Sequence, residues 1–173
     1  MEKEGHTSQL WAPWRYAYVS DVGRKRDEGC VFCQAPRKSD EEALILYRGK
    51  SVYAILNRYP YNNGHLMIVP YRHVARLEEL DMEELVEMMK VLRASLKALQ
   101  EAYKPDGFNV GVNIGKAAGA GIEGHVHVHV VPRWFGDTNY MAVLAGVTVI
   151  PQLLSDSYKM LKPLIDKYMG EER

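Results

Sequence analysis

His125-Val126-His127-Val128-His129-Val130-Val131 sets three of the chain's six histidines on alternate positions of one short apolar run. The spacing is that of a strand. A period of two sends all three imidazoles to one face of a sheet, while the β-branched valines enter the core on the other. On a helix the same residues would scatter round the axis. Neighbouring histidines at i and i+2 lie roughly 6.5 to 7 Å apart, close enough to share a metal, whereas His125 and His129 are about 13 Å apart. One ion cannot take all three. The face is therefore a row of imidazoles with divided labour, the alternative being a strand whose wet side happens to be histidine.

Outward from that run, 173 residues suffice for one domain with a real core. The expected division is an aromatic, basic arm at 1–28, a domain at 29–140 and a C-terminal extension with a helix at 141–173. Lys plus Arg and Asp plus Glu number 22 each. No global field draws nucleic acid or an anionic membrane, and any phosphate binding must be local. No run approaches the roughly 18 apolar residues of a membrane span, and the start is polar rather than signal-like. The expectation is a soluble, cytoplasmic protein. Both cysteines sit in Cys30-Val31-Phe32-Cys33, which in a reducing compartment suggests metal binding or thiol redox chemistry before a structural disulfide.

The remaining elements follow the same logic. Ala43 to Tyr47 and Ser51 to Leu56 flank a turn at Arg48-Gly49-Lys50, and a third strand over His65 to Val69 follows the turn Tyr59-Pro60-Tyr61-Asn62-Asn63-Gly64. Asp81 with Glu84 makes a capping pair for a long helix. Its predicted core stripe is Met82, Leu85, Val86, Met89, Leu92, Leu96, Leu99 and Tyr103, ending at Lys104-Pro105-Asp106-Gly107. Phe108 to Ile114 is a fourth strand and the histidine run the fifth, with a last helix near Ser155 to Tyr168 interrupted by Pro163. Strands joined by short turns favour an antiparallel sheet, so the class is α+β: five strands, one long helix and a C-terminal helix.

Gly119-Ala120-Gly121-Ile122-Glu123-Gly124 matches GxGxxG letter for letter. A dinucleotide fingerprint must follow a strand and open a helix, whereas this loop runs into the His/Val strand, so that reading is discarded. What survives is physical. Glycines let successive backbone N–H groups converge on an anion, and Gly115-Lys116 adds a cation; the alternative is a plain flexible connector.

Together these parts resemble the histidine triad (HIT) superfamily, whose signature of three histidines alternating with apolar residues is met in full from His125 to Val131. The resemblance extends through Asn57-Arg58-Tyr59-Pro60, Gly64-His65-Leu66-Met67-Ile68-Val69-Pro70, Tyr71-Arg72-His73, Asn113-Ile114-Gly115 and Val131-Pro132-Arg133-Trp134. The extension through Tyr140 and the Trp11-Ala12-Pro13-Trp14-Arg15 arm are similar to the bacterial branch that includes diadenosine tetraphosphate phosphorylases and dinucleoside polyphosphate hydrolases. The resemblance implies a homodimeric enzyme that cleaves at the α-phosphate through a nucleotidylated histidine, with water or orthophosphate as acceptor.

Mapped residue by residue, the resemblance makes His127 the nucleophile and brings His129 to the α-phosphate. Asn57 would bind ribose, Asn113 the phosphate or leaving group, and His65 would support His127. The loop N–H groups of Gly119, Gly121 and Ile122 would steady phosphate oxygens. Without the triad, Asn57 and Asn113 would pass as turn or strand-end asparagines and His65 as a core histidine. A Gln-Ser or Gln-Thr pair common in the family just before the triad is replaced by Gly121-Ile122-Glu123-Gly124. Backbone donors must do more here. The resemblance also implies a structural zinc held by Cys30, Cys33, His73 and His125, a donor set that suits Zn²⁺ with no open position; a reduced, buried thiol pair is the alternative. A nucleoside phosphoramidase, or a slow nucleotide-binding sensor using the aromatic arm as partner surface, are the competing functions. Nucleic-acid binding through Trp11 to Tyr18 lacks a basic patch.

Overall fold

The computed structural model describes residues 29–137 and 150–172. The expected arm at 1–28 and the stretch 138–149 lie outside the described residues. Five strands form one antiparallel sheet in the order β1-β2-β3-β5-β4, with β1 over Ile45–Arg48, β2 over Val52–Leu56, β3 over Leu66–Pro70, β4 over Gly107–Gly111 and β5 over Val128–Arg133. The α+β expectation holds. β2 and β3 are buried at every position, as unbroken apolar runs covered on both faces must be. One face, carrying Ala54, Ile68, Val126, Val128 and Val130, packs on the helices. On the other, Phe32, Ala35 and Ala43 from the short turns before β1 cover Tyr53, Met67 and Val69.

The histidine run enters the sheet later than its pattern predicts. Its ladder with β3 extends only from Ile68↔Val128 to Leu66↔Val130. Upstream, the Val126 N–H donates to the Val74 carbonyl (2.7 Å), and the Pro70 carbonyl is taken by the His125 ring (2.8 Å). A side chain occupies the acceptor the ladder would have used. The alternation persists nonetheless, with valines in the helix-side core and His125 and His127 against Phe32 on the other face. β4 stops at Gly111, opposite His129, so the predicted strand positions Val112 to Ile114 lie beyond it.

The long helix runs over Met82–Tyr103 with the expected box: the Asp81 N–H donates to Glu84 (2.8 Å), and the helix ends at a left-handed Lys104 before Pro105. The predicted stripe is met in part: Leu99 is in the core and Leu85, Leu92, Leu96 and Tyr103 pack against it. Met88, Val91, Ala94, Ser95, Ala98 and Leu99 are buried, whereas Met82, Val86 and Met89 are 72%, 52% and 48% exposed. Ala94 and Ala98 lie in the core that the long helix shares with the sheet and the C-terminal helix. That helix, Leu154–Glu171, carries Pro163 without a break and brings Tyr158, Leu161, Ile165 and Met169 into the main core. Arg72 fastens the start of the long helix to the segment after β3 through paired bonds to the buried Glu84 (2.9 and 2.6 Å).

Candidate active site and metal centre

His127 is 4% exposed, and its Nδ1 lies 2.8 Å from the His125 carbonyl oxygen. A carbonyl only accepts, so Nδ1 carries the hydrogen and, in the neutral ring, Nε2 keeps a bare lone pair. Burial pushes the His127 pKa down, against the opposing pull of the His125 carbonyl. The ring is neutral, its tautomer fixed with the Nε2 lone pair free of hydrogen.

Beside it stands a second pair. The Tyr61 N–H donates to His65 Nδ1 (3.0 Å), which forces the His65 hydrogen onto Nε2, 3.0 Å from His129 Nδ1. His129 Nδ1 must then accept, leaving its own hydrogen on Nε2 as a donor. Burial, helped by the neighbouring imidazoles, lowers His65 to about 3 and His129 to about 4. His65, expected to support His127, makes its ring hydrogen bond to His129. The register explains it: Leu66 faces Val130, which makes His65 a diagonal neighbour of His129. Tyr61 packs its ring on both, at 4.6 Å from His65 and 5.9 Å from His129.

Asn57 follows β2, its Oδ1 accepting the Tyr59 N–H (2.9 Å) and its amide 3.4 Å from His65 Nδ1. Asn113 is half-buried just beyond β4. Of the three loop donors expected to face phosphate, Gly119 is spent internally, donating to the Lys116 carbonyl at 3.0 Å. The N–H groups of Gly121 and Ile122 meet no acceptor among the described residues, and Ile122 packs on the Phe32 cluster.

Cys30, Cys33, His73 and His125 converge, one donor atom from each lying within 4.8 Å of all the others. Cys30 Sγ is 3.2 Å and Cys33 Sγ 3.6 Å from His125 Nδ1, Cys33 Sγ is 3.4 Å from His73 Nδ1, and the two Nδ1 atoms are 3.2 Å apart. A tetrahedral zinc with ordinary bond lengths needs S–N edges of about 3.6 Å and an N–N edge of about 3.3 Å. The donors fit. His125 Nε2 donates to the Pro70 carbonyl (2.8 Å), turning its Nδ1 lone pair to the centre, the outer-shell bond that metal-bound histidines require. Burial and the adjacent Cys30 push the Cys33 thiol up, with Arg37 acting in the opposite sense; a cation would reverse that balance.

Two members of the site went unread in the sequence. Phe32 lies 4.8 Å from the His127 ring, and Tyr61 supplies both a backbone donor and a ring. Phe32 sits between the two cysteines, which was its only signal. Tyr61 had only its place in a turn.

The HIT domain profile matches residues 38–136. A Mycobacterium tuberculosis protein named AP-4-A phosphorylase is 46% identical over 159 residues, covering 88% of this chain and 82% of its own length. A Saccharomyces cerevisiae bis(5'-adenosyl)-triphosphatase is 35% identical over 91 residues, covering 52% of this chain and 44% of its own. Among solved structures, a zinc-bound histidine triad family protein from Mycobacterium smegmatis superimposes with a TM-score of 0.65 at 26% identity, over 83% of this chain and 97% of that one.

Proposed function

The chain belongs to the HIT domain family, and we propose that it is an enzyme cleaving dinucleoside polyphosphates at the α-phosphate through a nucleotidyl-His127 intermediate. The observation that carries this is the pairing of His127 Nδ1 with the His125 carbonyl, since it leaves Nε2 unprotonated at neutral pH with no base needed. Nε2 attacks the α-phosphorus and the bond to the bridging oxygen breaks, releasing the remaining nucleoside polyphosphate. The acceptor then takes the nucleotidyl group and returns His127 to its starting state. The His129 Nε2–H and the N–H groups of Gly121 and Ile122 stabilise the phosphoryl oxygens, with Asn57 on the ribose and Asn113 on the phosphate or leaving group. His65 acts through His129.

Similarity to a protein named AP-4-A phosphorylase favours orthophosphate as acceptor. With diadenosine tetraphosphate, water yields AMP and ATP, whereas orthophosphate yields ADP and ATP. Incubation with and without orthophosphate tests the reading, and absence of both product pairs overturns it. Cys30, Cys33, His73 and His125 would hold a zinc that fills its coordination with protein and so braces the fold rather than activating water.

The long helix presents Met82, Val86 and Met89, and the sheet-edge strand β4 presents Val110, 44% exposed. These support a homodimer joined along that helix and edge. No described helix is long and apolar enough to cross a membrane, and free thiols poised for a metal suit a reducing compartment such as the cytoplasm.

A further inference from the structure

We infer that Phe32 is a positioning residue for His127, so that the Cys30-Val31-Phe32-Cys33 turn links the metal centre to the nucleophile. The inference rests on the role proposed for His127. A histidine ring has a broad torsional preference about its Cβ–Cγ bond, and the Nδ1 bond to the His125 carbonyl fixes one corner of the ring only. Where Nε2 points is then decided by what packs on the ring.

His127 is flanked by Phe32, with centroids 4.8 Å apart and planes inclined at 54°, and by His129, at 4.7 Å and 70°. His129 is itself tied to His65. Phe32 is the opposite jaw of the clamp, 4% exposed and also edge-on to His125 at 5.5 Å. Its backbone is anchored independently, because the buried Tyr53 hydroxyl donates to the Phe32 carbonyl at 2.7 Å. On either side of it, Cys30 and Cys33 reach His125 Nδ1. Drawing those sulfurs onto one metal would fix the residue between them against the His127 ring. A metal held by those sulfurs would bear on the chemistry through this packing.

The test compares wild type with Phe32→Ala, Phe32→Leu and Tyr53→Phe, each checked for zinc content. Three quantities are read: the single-turnover rate of nucleotidyl transfer from diadenosine tetraphosphate to the protein, the affinity for AMP, and the NMR resonances of the His127 ring without nucleotide. A misplacement on the order of 1 Å predicts a transfer rate about 100-fold lower for Phe32→Ala, less for Phe32→Leu, with AMP affinity and zinc content unchanged. Tyr53→Phe keeps both rings, so a displaced His127 resonance there reports loss of anchoring alone. If Phe32→Ala fails to fold, the other two variants carry the test. A rate that falls only in step with AMP affinity would make Phe32 a wall of the base pocket and overturn the inference, as would unchanged rates and resonances. A wild type that forms no adduct overturns the proposed function instead, and the His127 resonances of the variants then decide the placement of Phe32.

Discussion

At the scale of single residues, backbone groups fix where three ring hydrogens sit: His127 Nδ1, His65 Nε2 and His129 Nε2. The alternation around His127 marks a face. It cannot say which ring nitrogen carries the hydrogen, because that depends on the His125 carbonyl and on the Tyr61 N–H, both backbone groups placed by the fold. His65 illustrates the limit: its partner is His129 because the β3–β5 register makes them diagonal neighbours. The pair also has a consequence for pH. His65 and His129 fall from an ordinary value of 6.5 to about 3 and about 4 in the folded protein, so the unfolded chain binds protons more readily. Their contribution to stability is fully present above pH 6.5 and is lost progressively as pH falls towards the folded values. The melting temperature should therefore drop between pH 7 and pH 5, and His65→Gln should flatten that slope. An equally steep slope in the variant would show that His65 does not titrate as described.

Elements were more legible than their faces. All five strands and both principal helices follow from periodicity and turn residues, yet the long helix turns Met82, Val86 and Met89 outward and buries Ala94, Ser95 and Ala98. Hydrophobicity alone favours the large residues. Which face is buried depends on the sheet and the C-terminal helix packed against it, and local sequence does not carry that demand. In the C-terminal helix, Leu161 and Ile165 are fully buried. Pro163 could be read as a break, but Leu161 and Ile165 hold the helix on either side of it in the core. Leu161→Ala should then cost about 2–5 kcal/mol, as for a leucine in the main core. Urea denaturation checks this; a loss under about 0.5 kcal/mol, the ordinary size of a surface change, would mean the helix is an appendage.

Across the whole molecule, one sheet separates two tasks. Its helix side carries the main core, and its other side, around a smaller apolar cluster, gathers the imidazole row and the Cys/His centre. The outward apolar residues of the long helix and β4, the edge strand among the described residues, belong to the proposed dimer. Light scattering at micromolar concentration should give twice the chain mass, and Val86→Glu with Met89→Glu should halve it; a wild-type monomer would contradict that assembly. The division of the histidine row meets its most direct test at a single atom, His127 Nε2. Protein mixed with α-labelled diadenosine tetraphosphate, quenched in milliseconds and digested under alkaline conditions, should yield an acid-labile nucleotidyl adduct on the peptide carrying His127, absent from His127→Ala. Turnover without such an adduct, or an adduct on another residue, would contradict the account.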